Sequence, residues 1–166
     1  MVAASLKEKL YQRILEENGP RIQRFARANK RGDIWQDLQQ DIMLRIWQKI
    51  DSYEGRAKAK TWVYAIAYNI LRENNRKLYR QYATLEALEL HLKSLGSIYS
   101  IGESIEASCI IDKFIQLVDA VDRNAFLMHL DGCTYQEISE LTKLDEGALR
   151  VRIHRLNKQL AEYVGS

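Results

Sequence analysis

One proline, Pro20, and eight glycines are spread over 166 residues. Strands and tight turns consume both residue types, so a chain this poor in them is confined to helices with few interruptions. Apolar residues make up 46% of the sequence, enough to build cores. No run reaches the roughly 18 uninterrupted apolar residues of a membrane span. The first ten residues carry Lys7, Glu8 and Lys9 and lack the apolar centre of an export signal. A helical, cytoplasmic protein is expected. Cys109 and Cys133 stand apart, with no CxxC pair or nearby histidine, and read as inert thiols rather than metal ligands.

The apolar spacing supports helices throughout. Leu6, Leu10, Ile14 and Leu15 repeat at helical intervals, and Asn18-Gly19-Pro20 is expected to break the run. Ile22, Phe25 and Ala26 begin a second helix that ends near Arg31-Gly32. Asp33 then suits an N-cap for a third, whose stripe is Leu38, Ile42, Ile46 and Ile50. After the loop 51–55, a fourth helix starts near Lys60-Thr61 and carries Val63, Ile66, Ala67, Ile70 and Leu71. Residues 81–108 change character, with Gly96, Gly102, several serines and four glutamates against Lys93 alone. They read as a flexible linker with one short helix near Leu85 to Leu92. A connection this long separates two lobes, 1–80 and 109–166.

The second lobe reads as four helices: Ile110 to Val121, Asn124 to Leu130, Tyr135 to Thr142, and a last one after Asp145. Thr134 followed by Glu137 is a capping-box pattern. In the last helix Leu149, Ile153, Leu156 and Leu160 face inward. That leaves Arg150, Val151, Arg152, His154, Arg155 and Lys158 outside. Two helices on a short turn, the second basic on its outer face, form a helix-turn-helix. Its arginines can pair with guanine or hold phosphates. The same pattern also fits a merely solvated helix.

Charge divides the chain. Residues 1–80 hold 17 Lys/Arg against 9 Asp/Glu, whereas 81–166 hold 8 against 13. The basic half points to a polyanion. Its densest part runs from Lys58 through Trp62, Tyr64 and Tyr68 to Arg72, Arg76, Lys77 and Arg80. Cations attract phosphates, and aromatic faces stack on unpaired bases at about 1–3 kcal/mol each. An aromatic at helical spacing is also an ordinary core residue, so Trp62 sits between the two readings.

Together the two halves resemble one family. Asp37-Leu38-Gln39-Gln40-Asp41 with Leu44-Arg45-Ile46-Trp47 is similar to the core-binding helix in region two of extracytoplasmic-function RNA polymerase sigma factors. Tyr53-Glu54-Gly55 and the run Thr61 to Asn69 resemble that family's promoter-melting segment. Gly132 to Ile138, Glu146-Gly147 and Arg150 to Arg155 resemble its region-four helix-turn-helix.

The resemblance implies roles. Asp37, Leu38, Gln40, Asp41, Arg45 and Trp47 would dock on core polymerase. Tyr53, Arg56, Lys58, Lys60, Thr61, Trp62, Tyr64, Asn69, Arg72, Arg76 and Lys77 would bind and melt the minus-ten element. Arg150, Val151, Arg152, His154, Arg155 and Lys158 would bind the minus-thirty-five element. The linker would run towards the RNA exit path. The partners implied are core polymerase, promoter DNA and an anti-sigma factor, with no cofactor, metal, membrane insertion or small-molecule substrate.

Departures from the family pattern concern the second lobe. Ala120-Val121-Asp122 stands where a Leu-Pro pair is usual, Lys143 where a glycine is usual, and Asp145 and Ala148 where Ser and Thr are usual. Val151 takes a position that is commonly polar. A two-lobed regulator that binds duplex DNA without polymerase is the alternative, and the Asp37–Trp47 helix discriminates against it. An enzyme finds no support: His91, His129 and His154 are scattered, and no carboxylate cluster or Gly-rich phosphate loop occurs.

Overall fold

The computed structural model describes residues 2–30, 34–55, 58–81 and 108–165. Among them are seven α-helices: α1 Val2–Asn29, α2 Ile34–Lys49, α3 Ala59–Gln81, α4 Ser108–Gln116, α5 Ala120–Leu130, α6 Tyr135–Thr142 and α7 Glu146–Gly165. A single 3-10 turn, Ile50–Ser52, follows α2. The chain divides into two compact units, Met1–Ile101 and Gly102–Ser166. The expected cap at Asp33, the short helix near Leu85 and the linker path lie outside the described residues.

Helices α1, α2 and α3 make the first unit. Lys7 at the start of α1 lies over the Trp47 ring near the end of α2, and Arg27 at the end of α1 lies over Trp35 near the start of α2. The two helices therefore run antiparallel. The core is mostly aliphatic around one phenylalanine: Ile14, Ile22 and Phe25 from α1, Leu38, Ile42 and Ile46 from α2, and Val63, Ile66 and Ile70 from α3.

The expected break at Asn18-Gly19-Pro20 does not occur, and α1 runs through Pro20. Pro20 brings no N–H to the Glu16 carbonyl, and an interior proline costs about 3 kcal/mol. Continuing the helix buries Ile14 before the proline and Ile22, Phe25 and Ala26 after it. At about 1.5–3 kcal/mol for each large side chain, that burial outweighs the proline. Side chains also serve the turn that carries the proline. Asn18, itself buried, donates from Nδ2 to the Ile14 carbonyl at 3.0 Å and accepts from Arg21 Nη1 at 2.7 Å.

The second unit packs α4, α5, α6 and α7 around Phe114, Phe126, Leu127, Met128, Ile138, Leu149 and Ile153. Helix α4 stops at Gln116, short of the expected Val121, and α5 begins at Ala120 behind Asp119. Arg123 ties the junction. It reaches back from α5 and donates to the carbonyls of Ile115 and Val118 at 3.1 and 2.8 Å, the first of which also accepts from the Val118 N–H at 3.2 Å. The residues that lead into α5 are thus Val118, which is buried, and Asp119, while Ala120-Val121-Asp122 forms its first turn.

Helix α5 closes with two crossed bonds, Gly132 N–H to His129 O and Cys133 N–H to Met128 O, both 3.0 Å. This end needs a left-handed residue, and Gly132 supplies it at φ 86°. The buried Cys133 follows.

Candidate nucleic-acid and polymerase interfaces

Three faces present the residues singled out in the sequence. On α2, burial of Leu38, Ile42 and Ile46 turns Asp37, Gln40, Asp41 and Leu44 outward. Leu38 is 2% exposed and belongs to the core, so it offers no docking surface. Leu44, one turn from Gln40 and Asp41, is 55% exposed and is the apolar member of that face.

Trp47 is also turned from the expected surface towards α1. Its ring meets Tyr11 edge-on at 5.1 Å and carries the Lys7 ammonium at 4.4 Å. Tyr11 in turn donates its hydroxyl to the Met43 carbonyl at 3.2 Å. Arg45 reaches across to α3 and pairs with Glu73 at 3.2 Å. That guanidinium holds the Glu73 carboxyl below the usual carboxylate range.

On α3 the helical step of about 100° per residue decides which side chains share a face. Val63, Tyr64, Ile66, Ala67, Ile70 and Leu71 are buried. Trp62, Asn69, Arg72, Arg76 and Arg80 fall on the opposite stripe, and the last four are exposed. Tyr64 is corrected from a DNA-facing residue to a core one: it is 2% exposed, and its ring meets Phe25 edge-on at 6.2 Å.

Trp62 is half-buried, and its ring lies 4.8 Å from that of Tyr53, which fixes the preceding loop to the start of α3. Lys58 and Lys77 are exposed, while Lys60 and Thr61 are half-buried. Arg56 lies outside the described residues. Arg80, part of the basic run but not of the residues expected at the minus-ten element, belongs with this stripe. Eleven residues at the helical angle return it to within about 20° of Asn69.

In the second unit α6 and α7 form the helix-turn-helix. Thr134 Oγ1 accepts from Glu137 N at 3.1 Å and caps α6; Asp145 Oδ2 accepts from Ala148 N at 3.2 Å and caps α7. Between them Lys143 occupies the left-handed region at φ 65°, where glycine is usual. Ser139 Oγ donates to the Leu144 carbonyl at 2.6 Å and ties the turn.

Arg150, Val151, His154, Arg155 and Lys158 are exposed on α7. Arg152 is corrected. Its Nη1 pairs at 2.7 Å with Asp122 on α5, so it anchors the helix rather than facing DNA. Arg155 Nη2 is 3.4 Å from the other Asp122 oxygen, yet its side chain remains 56% exposed. The buried Asp122 thereby holds α7 from outside the helix-turn-helix. Sequence reasoning missed it, because nothing local joins positions 30 residues apart.

Arg150 is held differently. Its guanidinium lies 4.6 Å over the Tyr135 ring, and Tyr135 stacks on His129 at 5.6 Å and 22°. Among the described residues no group of histidine, cysteine and carboxylate side chains is placed to hold a metal ion. No helix among them is long and apolar enough to cross a membrane.

A helical unit with an aromatic and cationic stripe, paired with a helix-turn-helix unit, defines a bipartite DNA-binding protein. Comparison with known proteins narrows this. Residues 14–81 match sigma-70 region 2, and residues 110–160 match sigma-70 region 4. The chain is 26% identical over 141 residues to the ECF RNA polymerase sigma factor SigW of Bacillus subtilis, covering 76% of this chain and 75% of that protein. It is 26% identical over 139 residues to the ECF RNA polymerase sigma-E factor of Escherichia coli K12, covering 78% and 72%. In fold it is similar to the sigma factor RpoE solved with the anti-sigma factor NepR from Bartonella quintana. The TM-score is 0.69 at 21% identity, covering 95% of this chain and 98% of that one.

The chain belongs to the extracytoplasmic-function sigma factors of the sigma-70 family. It is an alternative sigma factor that acts with RNA polymerase.

Proposed function

We propose that the three faces divide the work of promoter opening. The α2 face of Asp37, Gln40, Asp41 and Leu44 docks on core polymerase. Its exposed leucine, set among exposed acidic and amide side chains, has the mixed character of a protein-docking surface. The α3 stripe takes the minus-ten element: Arg72, Arg76 and Arg80 lie along the duplex backbone, and Trp62 stacks where the strands part. Lys58, Lys60, Thr61 and Tyr53 line the approach for a displaced base. The α7 face takes the minus-thirty-five element, with Arg150, Val151 and His154 towards base edges and Arg155 and Lys158 towards phosphates.

The observation that carries this reading is the α3 stripe. Burying Tyr64 while leaving Trp62 beside Asn69, Arg72 and Arg76 places one aromatic at the head of a cationic row. Extruding a base costs a few kcal/mol, and stacking on Trp62 repays part of it.

Control comes from an anti-sigma factor that covers the docking and DNA-binding faces, as the similarity to a sigma factor solved with NepR supports. The protein works in the cytoplasm and needs no cofactor or small-molecule substrate. Co-elution with core polymerase, followed by transcription from a pool of the host's own promoters, tests the reading. Specific initiation is the expected result. Retained duplex binding without core association overturns it in favour of a polymerase-independent regulator.

A further inference from the structure

Arg150 extends from the first turn and a half of α7, the part of a recognition helix that reaches base edges. A free arginine side chain samples many rotamers and loses them on binding. Here three elements restrict it. His129 closes α5, Tyr135 opens α6, and Arg150 belongs to α7. Their flat groups form one column: imidazole on phenol at 5.6 Å and 22°, then phenol under guanidinium at 4.6 Å.

Two features make this more than incidental packing. Tyr135 is fixed at its own base, because α6 starts on the Thr134 cap, two residues after the buried Cys133. The column also lies on the solvent side. Arg150 is exposed and Tyr135 half-buried, lining an open depression with Gly132, Thr134, Gln136 and Glu146. A ring under one guanidinium face leaves the edges, with their N–H donors, directed outward. Those edges make bidentate contacts to guanine.

We infer that Tyr135, backed by His129, is a positioning residue for Arg150 and thereby sets base preference at one position of the upstream promoter element. The ring acts through its face, so the hydroxyl is dispensable. This rests on the reading of Arg150 as a base-contacting residue. Loss of the ring lowers discrimination at that position by about 2- to 5-fold, the ratio that corresponds to about 0.5–1 kcal/mol for an exposed cation–π contact.

The test uses holoenzyme and a duplex library randomised over the upstream element with constant flanks, sequenced before and after selection. The wild type and Tyr135→Phe should give the same preferences. Arg150→Ala should flatten one position. Tyr135→Leu should partly flatten that position alone, and the double variant should match Arg150→Ala. Tyr135→Met serves the same purpose if the leucine variant fails to fold, since methionine favours helices and has no ring.

Equal weakening at every position by Tyr135→Leu would reduce Tyr135 to a structural role and overturn the inference. So would a double variant that loses more than Arg150→Ala. An Arg150→Ala variant with unchanged preferences at every position overturns the base-contact reading itself, whereas a normal Tyr135→Leu profile beside a flattened Arg150→Ala profile overturns only the positioning role.

Discussion

Helices α3 and α7 are both basic, and both face DNA in the proposed function, yet they hold their cations in opposite ways. Among the described residues, Arg72 and Arg76 on α3 have no ion pair, and they stand exposed beside Asn69. On α7, Arg152 is spent on Asp122, Arg155 is shared with it, and Arg150 rests on Tyr135. Mobile cations along a helix attract a backbone of any sequence. Cations fixed by neighbours lose less entropy on binding and present donors in one direction, which suits base readout. The difference matches the two jobs proposed: gripping and opening DNA with α3, and choosing it with α7.

The sharpest way to break this comparison is to remove one unit's core. Phe126 is fully buried in the second unit, and Phe126→Ala costs about 3–5 kcal/mol there. A unit this small has little stability to spare, so the variant should unfold it. Trp35, Trp47 and Trp62 all lie in the first unit, so tryptophan fluorescence reports that unit alone. The expected result is a large loss of helical circular dichroism with an unchanged fluorescence melt. Loss of both signals would show that the units do not fold separately.

The next test concerns opening. Trp62→Ala should reduce open complexes by roughly 5- to 150-fold, as the loss of one stacked base at about 1–3 kcal/mol implies. Binding of the closed promoter should change little. Permanganate reactivity of the melted region measures the first quantity and filter retention on ice the second. An unchanged permanganate footprint refutes the stacking role and leaves Trp62 as a packing partner of Tyr53.

Most of the architecture was legible beforehand, because the apolar stripes were strong. Leu149, Ile153 and Leu156 are buried as their spacing requires, and Thr134 caps α6 onto Glu137. The misreadings came from effects that local pattern does not carry. Pro20 reads as a break until the buried residues on both sides are counted. Leu38 and Tyr64 belong to motifs with assigned functions, yet their helical angle puts them in the core. Arg152 looks like its neighbours on α7 until Asp122, from another helix, is brought beside it. Motif resemblance named the right helices; three-dimensional packing decided which of their residues are available.

Asp122 offers the third test. Asp122→Asn leaves Arg152 without a counter-charge and frees Arg155 for phosphate. The loss should be about 1–3 kcal/mol, below that for breaking a fully buried pair, because Arg152 keeps 39% of its side-chain surface in water. Urea denaturation of the second unit measures it. Binding to a promoterless duplex should tighten, with a salt slope steeper by about 0.9 for each added phosphate contact. A slope equal to that of the wild type would show that Asp122 does not restrain these arginines in the bound state.

The smallest effect expected is a gain. Lys143 closes the turn between α6 and α7 at φ 65°, a conformation that crowds the Cβ of any L side chain. Its N–H still donates to the Ser139 carbonyl at 2.8 Å, so the turn is well made and only the side chain is costly. Glycine relieves the crowding but is freer in the unfolded chain, and the two terms partly cancel. Relief of about 1 kcal/mol or more outweighs the entropy term, leaving Lys143→Gly more stable by about 0.5 kcal/mol. In a unit of this size that is roughly 2–4 °C in melting temperature. The lysine is also exposed at the corner of the helix-turn-helix, so the same variant removes one cation from that end of the unit. If Lys143 serves only the turn, duplex affinity and its salt slope stay as they were while the melting point rises. A slope shallower by about 0.9 would add Lys143 to the phosphate contacts, and would explain why a strained lysine stands where glycine folds more easily.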